Sequence, residues 1–152
     1  MSFIATIVAD GGLDHLFILS FLASTLLPIG SEWYLILLLL QDLPPGLLVL
    51  VATTGNWLGA LTNYVLGRWG ADYFANRFLE VDETRLEKAR RMYQKYGSWS
   101  LLLSWLPVVG DPICLLGGLM KVNIIRFSIL VLLGKGVRYT AVAYLTLLGT
   151  KI

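Results

Sequence analysis

Two apolar runs in this chain are interrupted by the same device, and that device limits what the chain can become. The first interruption is Leu27-Pro28-Ile29-Gly30-Ser31-Glu32 and the second is Leu106-Pro107-Val108-Val109-Gly110-Asp111-Pro112. In both, an acid follows a proline by four residues with a glycine between. Proline fixes φ and removes a backbone donor, while glycine frees φ, so neither run is one continuous helix. Each reads as two half-helices meeting at a polar elbow. The elbow residues are Pro28 and Gly30 in the first, and Pro107, Gly110 and Pro112 in the second.

The rest of the composition says where such elbows must sit. Of the 152 residues 57% are apolar and only 14% charged, with a mean hydropathy of +0.72. That is the balance of an all-α integral membrane protein, here one domain over 1–152. A net charge of +2 indicates no particular partner, and nucleic acid is not expected. The single cysteine, Cys114, excludes an intrachain disulfide framework and zinc-finger spacing. The single histidine, His15, excludes the common metal and Ser-His arrangements; both residues read as packing residues. With no phosphate-cradling Gly-rich loop, triad or metal constellation, the expectation is a non-enzyme with no cofactor. Residues 1–12 lack a basic leader, so no cleaved signal peptide is expected.

Residues 16–40 are apolar apart from the first elbow, which divides them into roughly twelve and eight residues, whereas a span needs about 20. A re-entrant hairpin is the better reading. After the turn at 42–46, residues 47–66 are long enough to span, and Gly55, Gly59 and Gly67 form a small-residue stripe that admits a close neighbour. Residues 70–96 are polar and basic. Within them Leu86, Ala89, Tyr93 and Tyr96 fall on one helical face, Thr84 with Glu87 has the form of a capping box, and Gly97 is a stop. This predicts an amphipathic surface helix near the membrane interface. Residues 99–120 repeat the broken pattern, 121–123 form a turn, and 124–148 form the second span, carrying Arg126, Lys135 and Arg138.

Shifting the chain by 79 residues superposes Pro28 on Pro107, Glu32 on Asp111 and Gly55 on Gly134. The chain thus reads as a duplicated unit, repeat 1 about 13–70 and repeat 2 about 97–150, joined by the linker 71–96. If the hairpins are re-entrant, each repeat crosses once and the second is inverted. The basic linker is then cytoplasmic by the positive-inside rule, and Lys121 and Arg126 stay on the same side. Full spanning would place those two outside, so the inverted repeat is adopted. Paired interrupted segments in two halves are a pointer to a midplane binding site, and their unsatisfied backbone survives only when buried or lining a wet cavity. The elbows are expected to face each other.

Glu32, Asp111, Lys135 and Arg138 lie within membrane-depth sequence, where each charge costs on the order of 3 kcal/mol unless paired or hydrated. Either they staple the repeats as ion pairs, or they line a cavity. In the second case partial desolvation suits the carboxylates to carry protons. Lys135 and Arg138, at i and i+3, would point into one space, and the planar arginine fork suits a phosphate. Asn56, Thr62 and Asn63 are expected to hydrogen-bond across helices, Tyr64 and Arg68 to anchor the span at the cytoplasmic interface, and the tryptophans 33, 57, 69, 99 and 105 to form mostly an aromatic belt.

Several of these pieces together resemble the DedA family of bacterial inner-membrane proteins, also described as SNARE-associated or VTT-domain proteins, and most closely its short YqaA-type branch. They are Pro28-Ile29-Gly30-Ser31-Glu32, Gly55 with Gly59, Tyr64 with Gly67-Arg68 and Gly70, Tyr96-Gly97, Trp105-Leu106-Pro107 and Gly117-Gly118. The resemblance implies two re-entrant elbows with spanning helices, a multi-pass inner-membrane location, and a role in moving lipids or coupling to protons. Members are associated with translocating undecaprenyl phosphate, and relatives with scrambling phospholipids. The family's essential glutamate maps onto Glu32. The chain departs from the pattern at Ser104 and Gly110, where many members carry arginine, and at Ala60, where an acid is frequent.

The leading expectation is a translocase for a lipid with an anionic headgroup, with Lys135 and Arg138 holding the phosphate while Glu32 and Asp111 exchange protons. A proton-coupled exporter of small cations is the second reading, and a non-transporting scaffold the third. Because the glycine stripe needs a close neighbour, a homodimer is also expected.

Overall fold

The structure, a computed structural model, describes residues 2–25, 30–70, 83–106 and 109–151. Every element among these residues is helical. In chain order they are α1 (Ser2–Ala23), α2 (Glu32–Leu39), α3 (Pro45–Trp69), α4 (Glu83–Tyr96), a 3₁₀ segment (Gly97–Trp105), α5 (Gly110–Leu119) and α6 (Ile124–Gly149). The helices α3 and α6, of 25 and 26 residues, are long and apolar enough to cross a membrane.

The order of elements is given twice: an arm, a break, a short half-helix, a turn and a long helix. At 1.5 Å per residue, α2 and α5 are only about 12 and 15 Å long, so each stops well short of a membrane's thickness. Their packing is reciprocal. The half-helix α5 lies mainly against α3, whereas α2 lies mainly against α6, while the arms α1 and the 3₁₀ segment pack on α3 and α6 respectively. Each long helix is therefore sandwiched between its own arm and the half-helix of the other half.

Backbone approaches at glycine make this sandwich close. A Cβ on Gly55 would lie 2.6 Å from the Phe17 carbonyl oxygen, and one on Gly134 2.6 Å from that of Leu102. Gly59 faces the Phe21 carbonyl, Gly67 that of Leu115, and Gly118 that of Tyr64. The glycine stripe of α3 is thus filled by α1 and α5 of the same chain, which removes its force as an argument for a homodimer.

Several expectations are corrected in detail. The first helix begins at Ser2, not near residue 16, and runs 22 residues through Asp10, Gly11, Gly12 and Asp14. Helix propensity is a weak prior, and four indifferent residues did not stop it. His15 is exposed on this helix, donating to the Gly11 carbonyl at 2.6 Å, and is no packing residue. Pro28 and Pro107 lie outside the described residues, as does 71–82 of the linker. Gly110 and Pro112 belong to the first turn of α5 rather than to the break, a place where proline's missing donor costs nothing.

Helix α4 begins at Glu83, so Thr84 sits inside its first turn and is not its cap; Glu87 instead pairs with Arg91 at 3.2 Å. It ends where expected, at Gly97 with φ +59°, the left-handed conformation that glycine supplies. Its inner face rests on the 3₁₀ segment and α5, with Met92 against the core and Tyr93 half-buried; Tyr96 points outward beneath Lys95. Burial raises the Tyr93 hydroxyl above its ordinary range, with the charge of Arg126 opposing.

Apolar packing forms two clusters, one around Tyr64, Leu101, Ile113 and Phe127, the other around Leu16, Leu35, Leu48 and Tyr139. The chain explains their separation. On α3 the inner face reads Ala52, Asn56, Ala60, and on α6 Val131, Lys135, Tyr139, both at i, i+4, i+8. The end members belong to opposite clusters, so the middle members form a polar layer between them.

Candidate functional site

In that layer Lys135 is buried, 2% exposed, and meets Asn56 of α3. Its ammonium donates to Asn56 Oδ1, and the two residues are 79 apart, which is the offset of the repeat. It also donates to Ser24 Oγ at 2.9 Å and lies 3.8 Å from Asp111 Oδ1. Ser24 in turn donates to Asp111 Oδ1 at 3.1 Å. Thus Asp111, just after the second break, meets Ser24, just before the first.

One helical turn further along α6, Arg138 pairs with Glu32 and donates to the Trp105 carbonyl at 3.1 Å. Exposure is shared evenly in this pair, 25% and 22% for the two side chains, whereas in the other it falls on the acid, 36% for Asp111 against 3% for Lys135. Both acids occupy the first turn of a short half-helix, Glu32 on α2 and Asp111 on α5, where the helix dipole favours negative charge. Ser31, beside Glu32, shares a 2.7 Å hydrogen bond with the buried Tyr139 hydroxyl.

All four charged residues come together, but not as one phosphate clamp. Lys135 and Arg138 are about 60° apart around the helix axis, enough for one to face the sealed layer and the other a partly open edge. Lys135 directs two hydrogen bonds into the chain, to Asn56 and Ser24, whereas Arg138 keeps 25% of its side chain exposed.

The supporting residues divide similarly. Asn56 and Asn63 donate to the carbonyls of Ser20 and Ser24, at 2.9 and 2.8 Å, and fasten α1 to α3. Thr62 bonds only its own helix at Leu58. Tyr64 is buried in the core: its hydroxyl donates to the Val122 carbonyl and receives a bond from Arg68 at 2.9 Å. Trp33, Trp69, Trp99 and Trp105 are exposed, whereas Trp57 packs against the core. Cys114 is fully buried among apolar neighbours, as its packing role requires.

Sequence reasoning missed Ser24, Ser31 and Tyr139. For Ser24 a signal existed: Ser20 and Ser24 repeat at four residues within an apolar helix, the spacing of Gly55 and Gly59, against which their Cβ atoms rest.

Two helices long and apolar enough to cross a membrane, with a charged layer between them, are the features of an all-α membrane protein. The chain belongs to the VTT-domain, or DedA, family, whose pattern matches residues 27–148. It is 45% identical over 138 residues to the inner membrane protein YqaA of Escherichia coli, covering 90% of this chain and 92% of that one. An uncharacterized protein of Haemophilus influenzae is 38% identical over 142 residues, 88% and 87% of the two chains. The uncharacterized membrane protein YbfM of Bacillus subtilis is 26% identical over 132 residues, 82% of each. No solved structure matches the chain.

Proposed function

We propose that the protein translocates a lipid with an anionic headgroup across the bacterial inner membrane, with Arg138 as the headgroup residue and Glu32 as its proton-controlled competitor. The name of the Escherichia coli relative supports the location. Half-helices too short to cross, set reciprocally against the two long helices, support a multi-pass inverted repeat with re-entrant hairpins. The hydrogen bond between Asn56 and Lys135 supports it too, because equivalent residues of two halves touch where a pseudo-two-fold axis passes.

The observation that carries the functional reading is the partly exposed Glu32–Arg138 pair. A guanidinium presents a planar fork that accepts two oxygens from a carboxylate or a phosphate alike. Protonating Glu32 removes its charge and frees the fork for a headgroup phosphate. Losing that proton restores the pair and expels the phosphate, so one proton exchanged at Glu32 accompanies one headgroup released. Lys135 contributes charge from behind but does not touch the lipid.

In vesicles containing the purified protein and a trace of quenchable anionic lipid, Arg138→Ala and Glu32→Gln are expected to fold yet move lipid at least about tenfold more slowly, a loss of about 1.4 kcal/mol. Wild-type rates in both variants would overturn the reading.

A second reading is favoured by one fact, that all four charges find partners within the chain. In it the protein is a non-transporting scaffold and the pairs only fasten its halves. Exchanging Glu32 and Arg138 would then restore whatever activity and stability the single changes cost, whereas a headgroup site at Arg138 keeps the exchanged protein inactive.

A further inference from the structure

We propose that Ser24 is a positioning residue which makes Lys135, Ser24 and Asp111 a proton relay, able to convert the buried ion pair to a neutral pair inside the membrane. The proposal rests on reading the polar layer as the moving part of a translocation site. Direct transfer is disfavoured by distance: Lys135 Nζ and Asp111 Oδ1 are 3.8 Å apart, beyond hydrogen-bond range. Through Ser24 the two gaps are 2.9 and 3.1 Å. The hydroxyl accepts from the ammonium and donates to the carboxylate, the polarity a relay requires.

The transfer balances within the three residues. A Lys135 N–H bond breaks and its proton joins Ser24 Oγ, while the original Ser24 proton passes to Asp111 Oδ1. Serine is regenerated, lysine becomes a neutral amine, and aspartate becomes a neutral acid. Reversal restores the ions. No external acid or base is consumed.

Location gives this step a use. Lys135 is sealed, whereas the Asp111 side chain is 36% exposed, so protons enter and leave at the aspartate. Any movement of α5 away from α1 and α6 would strand an ammonium in an apolar surround, at on the order of 3 kcal/mol. A neutral pair separates without stranding a charge. Ser24 is well held for the task, since its carbonyl accepts from Asn63 at 2.8 Å and its Cβ rests where Gly59 lacks one. Asp111 faces Lys135 and Arg138 from α6 and Ser24 from the turn that follows α1, with Cys114 further along its own helix; Glu32 of α2 acts on the same lysine.

The test uses the full chain in detergent and dicyclohexylcarbodiimide, which reacts with protonated carboxyl groups. Peptide mass spectrometry reads labelling of Asp111 and Glu32 across pH in wild type, Ser24→Ala and Ser24→Cys. Losing a donor lets the carboxylate take a proton more readily. The midpoint for Asp111 is therefore expected to rise by about one pH unit in Ser24→Ala and by less in Ser24→Cys, whose thiol is a weak donor. Glu32, which Ser24 does not touch, serves as the reference.

A residue that only packs would lower the melting temperature and leave both midpoints in place. Unmoved Asp111 midpoints therefore overturn the relay, and if Ser24→Ala does not fold, an unmoved midpoint in Ser24→Cys does so alone. Labelling requires no lipid movement. A wild type that moves no lipid but shows the shift removes the translocation reading and keeps the relay; the opposite pair of results does the reverse.

Discussion

Gly118→Ala is expected to lower the thermal stability of the purified protein by about 3 kcal/mol, roughly 10 °C in melting temperature for a chain of this size. The reason is geometric. The added methyl would meet the carbonyl oxygen of Tyr64, its carbonyl carbon at 2.8 Å and the Arg68 nitrogen at 2.9 Å. These are backbone atoms of α3, which no rotamer change moves aside. Gly67 makes the reciprocal approach, its Cβ position 3.0 Å from the Leu115 carbonyl carbon and 3.1 Å from the Leu119 nitrogen. Relief requires α5 to shift as a body, and α5 carries Asp111 in its first turn. Gly46→Ala is the matched control, because nothing lies within 4 Å of a Cβ there. It should be neutral, or better by up to about 1 kcal/mol from helix propensity. Scanning fluorescence of the tryptophans in one detergent checks both, and equal melting temperatures for the two variants would refute the crossing as described.

Asp111→Asn is the second large effect, because it leaves the Lys135 ammonium without its nearest counter-ion. Breaking a fully buried pair costs about 3–5 kcal/mol. Here the carboxylate keeps partial exposure, so about 2–3 kcal/mol is the expected loss. The remaining acid of the layer, Glu32, is already engaged by Arg138. Adding Lys135→Met removes the stranded charge, and most of the loss should return in the double variant. Measured as a double-mutant cycle, the two changes should couple by at least about 1 kcal/mol. Purely additive losses would mean that the lysine is satisfied by Asn56 and Ser24 without the carboxylate.

Much of this architecture was legible from local chemistry. Proline and glycine inside apolar runs marked two breaks, length marked two candidate spans, and a glycine at 97 marked the end of the amphipathic helix. The four ionisable residues were legible as a set, because a charge in apolar sequence needs a partner. What sequence periodicity left open was which partner. A stripe of glycines says that another backbone comes close without saying whose; here Phe17, Phe21 and Leu115 of the same chain supply it. Likewise, the i and i+3 spacing that aims Lys135 and Arg138 into one space does not say that one is sealed, 3% exposed, and the other open at 25%. Lys135 follows Asn56 by 79 residues, the offset at which the proline, acid and glycine recur in the sequence, and the two close the layer together. Helix α1 was misjudged at its start because aspartates and glycines weaken a helix without forbidding it. Ser24 was missed although it repeats Ser20 at the four-residue spacing of Gly55 and Gly59, because that spacing marks close helix packing and says nothing of a charged partner.

Headgroup selectivity tests the central claim most directly. Purified protein in zwitterionic vesicles is given a trace of the same quenchable label on either an anionic or a zwitterionic lipid, and quencher accessibility is followed over time. The account predicts that wild type moves the anionic lipid about tenfold faster, a preference of about 1.4 kcal/mol, and that Arg138→Ala loses this preference. Equal rates for both lipids in wild type, or rates no faster than in empty vesicles, would contradict it.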